Sequence, residues 1–333
     1  FSANQAVSCT SCHQENYNFT DNLPVAKGVG VTSRRSMPLN NVAQQKWFFW
    51  DGRADSLWSQ ALGPIENPLE HGITRVKVYL LIAQHYQTQY HEIFGRLPDI
   101  TITPELLIAT PNTQDLSALN KWHALDSNTQ QVITQAFVNM GKAIAAFVST
   151  IKHEATAFDY YAWSLKGTDK TAITNTNKLN PKALLGLKLF IGKAKCINCH
   201  NGPNLSNGEF HNVGIADGNT GRASVLANLK SAEFSCLSQW SDIASPDKCL
   251  HLRFLDLEEK KYQGSFKTPS LRNVAIRPPY MHAGQFSTLN EVIENYQQVS
   301  AAQSLLSDEI LHEHLTEEEI EQLIAFLRSL TAK

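Results

Sequence analysis

The sequence predicts a mostly α-helical chain in two halves, with long loops and little strand. Three observations lead there. Apolar residues recur at helical spacing in several stretches, and several of these open on a capping residue or Pro. No stretch of any length alternates with the period of a strand. The run Cys-x-x-Cys-His occurs twice, as Cys9-Thr10-Ser11-Cys12-His13 and Cys196-Ile197-Asn198-Cys199-His200, once in each half.

The elements follow in order. Residues 1–40 hold the first run and then turn-rich sequence punctuated by Pro24, Gly28, Gly30 and Pro38, which reads as wrapping loop. The cluster Trp47, Phe48, Phe49 and Trp50 reads, on composition, as core packing. Ala54 to Leu62 reads as a short helix ended by Gly63-Pro64, with a polar loop over 66–72. Thr74 to Phe94 reads as one helix on Val76, Leu80, Ile82, Ala83 and Tyr86. Residues 95–125 read as irregular around a short helix near 104–110.

Asn128 to Ile151 is a long amphipathic helix, with Val132, Ile133, Ala136, Phe137, Met140, Ile144 and Phe147 on one face. Glu154 to Leu165 continues as another. Lys166 to Asn180 is polar and rich in Thr and Asn, which places a linker there and divides the chain into 1–167 and 168–333. Pro181 to Ile191 is a helix with Pro at its start. Residues 201–255 read as mostly irregular and 264–284 as a Pro-rich ordered loop. Thr288 and Thr316 open two final helices, each with a Glu three residues on, and the last is a candidate to pack back on the first half.

With 333 residues, 42% of them hydrophobic, the chain can bury a sizeable core, and a formal net charge of −2 gives no reason to expect nucleic acid or a charged membrane surface as partner. No apolar run approaches the length of a membrane span. Residue 1 is Phe, which reads as a mature chain whose export segment has been removed. Four of the six Cys lie in the two runs; Cys236 and Cys249 remain, either as a disulfide or as two free thiols, the former favoured in an oxidising compartment.

Cys-x-x-Cys-His is the attachment signature of c-type haem. The two thiols add to the vinyl groups and the adjoining His is placed to ligate iron. Zinc or disulfide half-sites are the competing reading, disfavoured because both runs carry His directly after the second Cys. Two covalent haem c groups are expected, on Cys9, Cys12 and His13 and on Cys196, Cys199 and His200. Haem c is attached outside the bacterial cytoplasm, so the periplasm is the expected location.

The two runs, together with Trp50-Asp51-Gly52-Arg53 and Pro279-Tyr280-Met281-His282, resemble the bacterial dihaem cytochrome c peroxidase superfamily over most of the chain. Residues 95–125 and 225–260 look like insertions. The chain looks more like the MauG and MbnH branch than the plain peroxidases, because Tyr296, fourteen residues after His282, stands where peroxidases place a Met ligand to the second haem. The resemblance implies that Trp50 relays electrons between the haems. It also implies that Gln60, Pro64 and Glu70, spaced by four and six, form the distal pocket of the first haem. His71 stands where MauG has Met. Residues 24–40 contain no His, whereas peroxidases place a blocking His in that loop, so the first haem should be open at rest.

By the same resemblance a calcium ion would lie between the haems, on Ser36 in place of the family's Asn and on the carbonyls of Arg277 and Pro279. MauG oxidises its protein substrate through a Trp two residues before the second run; that position is Ala194 here, which leaves Trp163, Trp240 and Tyr280 as candidate exits. In the implied mechanism the first haem, held by His13 alone, binds hydrogen peroxide, and Glu70 moves the proton needed for O–O cleavage. His200 and Tyr296 ligate the second iron, and a high-valent two-haem state oxidises a periplasmic partner protein, for MbnH-like enzymes a Trp converted to kynurenine in a copper-binding protein. The alternatives are a simple peroxidase reducing peroxide to water and a dihaem electron carrier. Glu70 beside an open haem argues against the carrier, and Tyr296 against the simple peroxidase.

Overall fold

The computed structural model describes residues 1–165, 179–243, 245, 247, 249–299 and 314–332. Its longer helices are α1 (Leu57–Glu66), α2 (Arg75–His85), α3 (Gln87–Phe94), α4 (Leu116–His123), α5 (Ser127–Val148), α6 (Ala157–Leu165), α7 (Pro181–Ile191), α8 (Leu289–Gln298) and α9 (Glu317–Arg328). Two short strands, β1 (Phe210–His211) and β2 (Phe266–Lys267), pair antiparallel, Phe210 opposite Lys267. The rest of the described residues form short turns and loop, as the lack of strand periodicity implies.

The first half is built on α1, α2 and α5. Each begins on a side chain that accepts an otherwise unpaired backbone N–H: Ser56 from Ser59, Thr74 from Lys77 and Asp126 from Thr129. Leu62, Ile65, Val76, Ile82, Ile133 and Phe137 close the core between them. At Gly141 of α5 a Cβ would stand 2.7 Å from Leu62 Cδ2, so the close approach of α1 to α5 needs glycine there.

Three boundaries differ from the sequence expectation. Helix α1 does not stop at Gly63-Pro64 but runs through them to Glu66. Pro64 lacks one N–H, yet the Gly63 carbonyl still accepts from Asn67 and the Pro64 carbonyl from His71, so one bond is lost rather than the helix. The single helix expected over 74–94 breaks at Tyr86 (φ −129°, ψ 16°), and beyond the break the Tyr90 hydroxyl meets Asn139 at 2.8 Å. Helix α4 lies in sequence read as irregular; Asp115 caps it and Trp122 anchors it, too few apolar positions for a periodic signal.

In the second half α9 packs along α7. A Cβ on Gly186 of α7 would stand 1.9 Å from the Gln322 carbonyl oxygen. Phe190, Leu323, Phe326 and Ile293 form the core, with Phe190 and Phe326 centred 5.0 Å apart. The final helix thus lies on α7 in its own half. Helix α6, N-terminal to the expected division, also joins this core: Phe158 stands edge-on to Phe326 at 5.5 Å, and Asp159 pairs with Arg272 at 2.6 Å. The expected linker falls largely on 166–178, outside the described residues.

Residues 233–236 return to the first half. Cys236 and Cys249 form a disulfide, and the Cys236 N–H donates to Asp55. Phe234 packs on Phe137 and Trp58. Glu233 meets Arg75, a fully buried guanidinium that also bonds Glu66 and Thr134. Burial alone would pull Arg75 down, but the two carboxylates outweigh it and hold its pKa above the ordinary value. Arg75→Met should therefore cost about 3–5 kcal/mol in a denaturant titration of the holoprotein, because Glu66 is left buried and unpaired. Glu233→Gln, whose side chain is 40% exposed, should cost about 1 kcal/mol or less. Equal losses in the two variants would show that the pairing with Glu66 is not the buried term.

Candidate active site

Each Cys-x-x-Cys-His run folds into one tight turn that brings its His back over the cysteines. The His13 N–H donates to Cys9 O at 2.9 Å and the His200 N–H to Cys196 O at 2.8 Å. The imidazoles are fixed in the same way: Nδ1 of His13 lies 2.9 Å from Phe19 O, and Nδ1 of His200 lies 3.0 Å from Leu205 O. A carbonyl only accepts, so Nδ1 carries the proton in both rings and Nε2 keeps a free lone pair for a metal. Burial holds both rings below the ordinary histidine range, His200 at about 4, so both are neutral at pH 7.

His13 and Cys12 border a cavity of about 400 Å³. Gln60, Pro64 and Glu70 line it too, so the structure brings together the three residues that sequence reasoning grouped. Asn67 Nδ2 donates to Glu70 Oε1 at 2.6 Å, which leaves the other carboxylate oxygen without a partner among the described residues. The Gln60 side-chain amide likewise has no bond among the described residues. Glu70 is held from behind by the loop at Gly28, where Val29 N–H donates to Glu70 O and a Cβ on Gly28 would stand 2.3 Å from that oxygen. His71, beside it, turns to the Phe1 carbonyl and does not line the cavity.

Cys196, Cys199, His200 and Tyr296 line a second, mostly apolar cavity of about 190 Å³ with Phe190, Val213, Leu271 and Ile293. Burial pushes the Tyr296 phenol above its ordinary range, and part of its surface faces the cavity. Trp50 lines both cavities; its Nε1–H donates to Arg35 O at 3.0 Å. Ala194 is a buried part of the second wall, and Tyr280 is a half-buried part of it. Trp163 is 42% exposed on α6, Trp240 packs on the first core, and neither lines a cavity.

The residues fit two covalent haem groups. The four cysteines of the two runs lie outside the Cys236–Cys249 disulfide, with Cys12, Cys196 and Cys199 at the cavity walls and Cys9 on the exposed side of its turn. Each cavity is lined by the neutral imidazole of its own Cys-x-x-Cys-His turn, with its lone pair fixed. The competing zinc reading has no support, since the described residues contain no cluster of three or more His, Cys, Asp or Glu able to hold a metal.

Ser36, Arg277 and Pro279 meet at a third cavity of about 60 Å³, beside Trp50. Among the described residues no donor reaches the Arg277 or Pro279 carbonyl, and Ser36 Oγ donates to the buried Asp21 at 2.8 Å. These are hard oxygen groups of the kind that calcium takes. Sequence reasoning missed Lys267, which lines both haem cavities, and the His282–Asp217 pair at 2.6 Å, with His282 edge-on to Trp50. No local pattern marks Lys267 or the pairing of His282 with Asp217, because partners far along the chain give them their setting.

Comparison with known proteins gives a concordant result. The family model described as di-haem cytochrome c peroxidase matches residues 1–169. The chain is 30% identical over 335 residues to the cytochrome-c peroxidase IdrP2 of Pseudomonas sp., covering 99% of this chain and 77% of that one. It is 28% identical over 330 residues to the methylamine utilization protein MauG of Methylorubrum extorquens, covering 98% and 73%. Among solved structures, the diheme peroxidase BthA of Burkholderia thailandensis superposes with a TM-score of 0.66 at 19% identity, covering 98% of this chain and 81% of that one. A MauG-like protein associated with microbial copper homeostasis superposes with a TM-score of 0.60 at 22% identity, covering 100% and 84%. Two Cys-x-x-Cys-His turns, each with its fixed imidazole at a cavity, and matches that span nearly all of this chain lead to one conclusion: the chain belongs to the di-haem cytochrome c peroxidase family, which includes MauG, and its oxidoreductase chemistry runs on two c-type haems.

Proposed function

We propose that this protein uses hydrogen peroxide to oxidise a partner protein at a distance from the peroxide site. The observation that carries the reading is Tyr296, which lines the second cavity together with His200 and would hold the iron of that haem with it. A phenolate there favours ferric iron over ferrous, whereas a thioether favours the reverse. The haems supply the redox chemistry and the cleavage of the peroxide O–O bond. The chain's residues bind and steer. Gln60 offers amide hydrogens to peroxide in the first cavity, and Glu70, oriented by Asn67, takes a proton from one peroxide oxygen and returns it to the other. Trp50 joins the two cavities.

Tyr280 is the candidate exit that touches the second cavity, so oxidation leaves there. The substrate we propose, a copper-binding protein oxidised from Trp to kynurenine, follows from the resemblance to MbnH-like enzymes. A calcium ion on Ser36 and the carbonyls of Arg277 and Pro279 would brace the junction. Asp21 would offset the charge of a cation placed near the Arg35 and Arg277 guanidinium groups. The periplasm is the proposed location, supported by the Cys236–Cys249 disulfide. No helix among the described residues is long and apolar enough to cross a membrane. Reduction of peroxide to water is the second reading, favoured by relatives named as peroxidases.

Three outcomes test these roles. Electron paramagnetic resonance of the ferric protein should show one high-spin and one low-spin haem, since residues 24–40 offer no His to close the first site; two low-spin signals would remove the open site. Glu70→Gln should slow the peroxide-driven spectral change in stopped flow by roughly 10²–10⁴-fold, and a wild-type rate would take Glu70 out of the reaction. Tyr296→Met should raise the potential of the second haem and abolish oxidation of the partner. Partner oxidation at the native rate in that variant would instead make Tyr296 a packing residue and favour the simple peroxidase.

A further inference from the structure

Lys267 is 3% exposed, in β2, at the wall shared by the two haem cavities. Its backbone N–H donates to Trp50 O at 2.7 Å, which fixes the strand against the aromatic between the cavities. The ammonium is bonded by one protein group, the neutral side-chain oxygen of Gln45. No carboxylate among the described residues pairs with it.

The other cations of the first cavity have a carboxylate or several acceptors. Arg34 and Arg53 share Asp51, and Arg272 has Asp159. Arg35 and Arg277 donate to backbone carbonyls, Arg35 to Asp21 and Pro278, Arg277 to Ser270 and Arg272. Lys267 has no carboxylate and a single neutral acceptor among the described residues. An ammonium buried without a counter-charge costs several kcal/mol, so it either loses its proton or receives an anion from outside the chain. Burial alone pulls it down to about 7, which measures how poorly the protein by itself supports the charge.

Haem brings carboxylates into these cavities on its propionate arms. We propose that Lys267 is the ion-pairing site for a propionate of the haem in the first cavity. Gln45 sets the direction: it lines the first cavity and not the second, so the ammonium that it holds points to the first. A charge-assisted bond of about 2.7–2.9 Å satisfies both ions at once. Because the wall is shared, the same positive charge acts on both irons, more strongly on the nearer one. A cation in a low-dielectric wall opposes the ferric state, so Lys267 raises both reduction potentials. The inference rests on the haem assignment and not on the substrate or the fate of peroxide.

The test is a spectroelectrochemical titration of the intact dihaem protein at pH 9, where a propionate freed from its partner stays ionised. Lys267→Met should lower both midpoint potentials, that of the first haem by more, and Lys267→Arg should leave them at wild-type values. Wild-type potentials in Lys267→Met, or a fall confined to the second haem, would overturn the proposal. A crystal structure of the wild-type holoprotein gives a reading independent of how the variants fold. Lys267 Nζ should lie within hydrogen-bond reach of a first-haem propionate, and Nζ held by Gln45 alone would equally overturn it.

Discussion

The rest of the structure depends on the fixed position of Trp50 between the two cavities. Three contacts hold it: Nε1–H to the Arg35 carbonyl, its own carbonyl to the Lys267 N–H, and its ring edge-on to His282 at 6.4 Å. Arg35 donates in turn to Asp21 O and Pro278 O, and its N–H donates to His282 O. The loop after the first Cys-x-x-Cys-His turn, the Trp50 segment and the Pro-rich loop of the second half therefore meet on one guanidinium and one indole. Transfer between redox centres is sensitive to distance, and a buried aromatic with its N–H satisfied is held there without strain.

Next to Trp50, the turn Asp51-Gly52 is fastened to the second half by Arg222. That guanidinium donates to the carbonyls of Asp51 and Gly52 and lies 4.1 Å from the ring centres of both Trp47 and Phe210. Gly52 has φ +67°, and a Cβ there would stand 2.3 Å from Phe210 Cζ. The turn thus needs glycine for its backbone conformation and for the approach of Phe210. Residues from 222 to 236 return to the first half through Arg222, Glu233, Phe234 and Cys236, so neither half closes its core without the other.

The two cavities differ in ways that suit different tasks. The first has an amide, a carboxylate and several cations in its wall, so a small polar reactant finds donors and acceptors there. The second is mostly apolar and faces a phenol on α8, which favours retention of charge over exchange with solvent. One chain separates these environments because three residues, Trp50, Lys267 and Pro269, are common to both walls.

The sequence alone carried the helical class, the two Cys-x-x-Cys-His turns and most helix starts, because these depend on short-range spacing and on caps such as Thr74, Asn180 and Thr316. The grouping of Gln60, Pro64 and Glu70 came from the family resemblance, and one helix and its following turn carry all three to one wall. The breaks and continuations were not legible. Pro64 sits inside α1, and Tyr86 divides α2 from α3, because contacts with His71 and Asn139 outweigh local propensity. The tertiary structure alone decided that α6 belongs with the second core, that Arg75 is shared by Glu66 and Glu233, and that Lys267 is buried at the wall of both cavities. Each of these rests on partners more than a hundred residues apart. Burial and charge pairing between such distant segments leave no periodic trace in either one, so they become readable only when the chain has closed on itself.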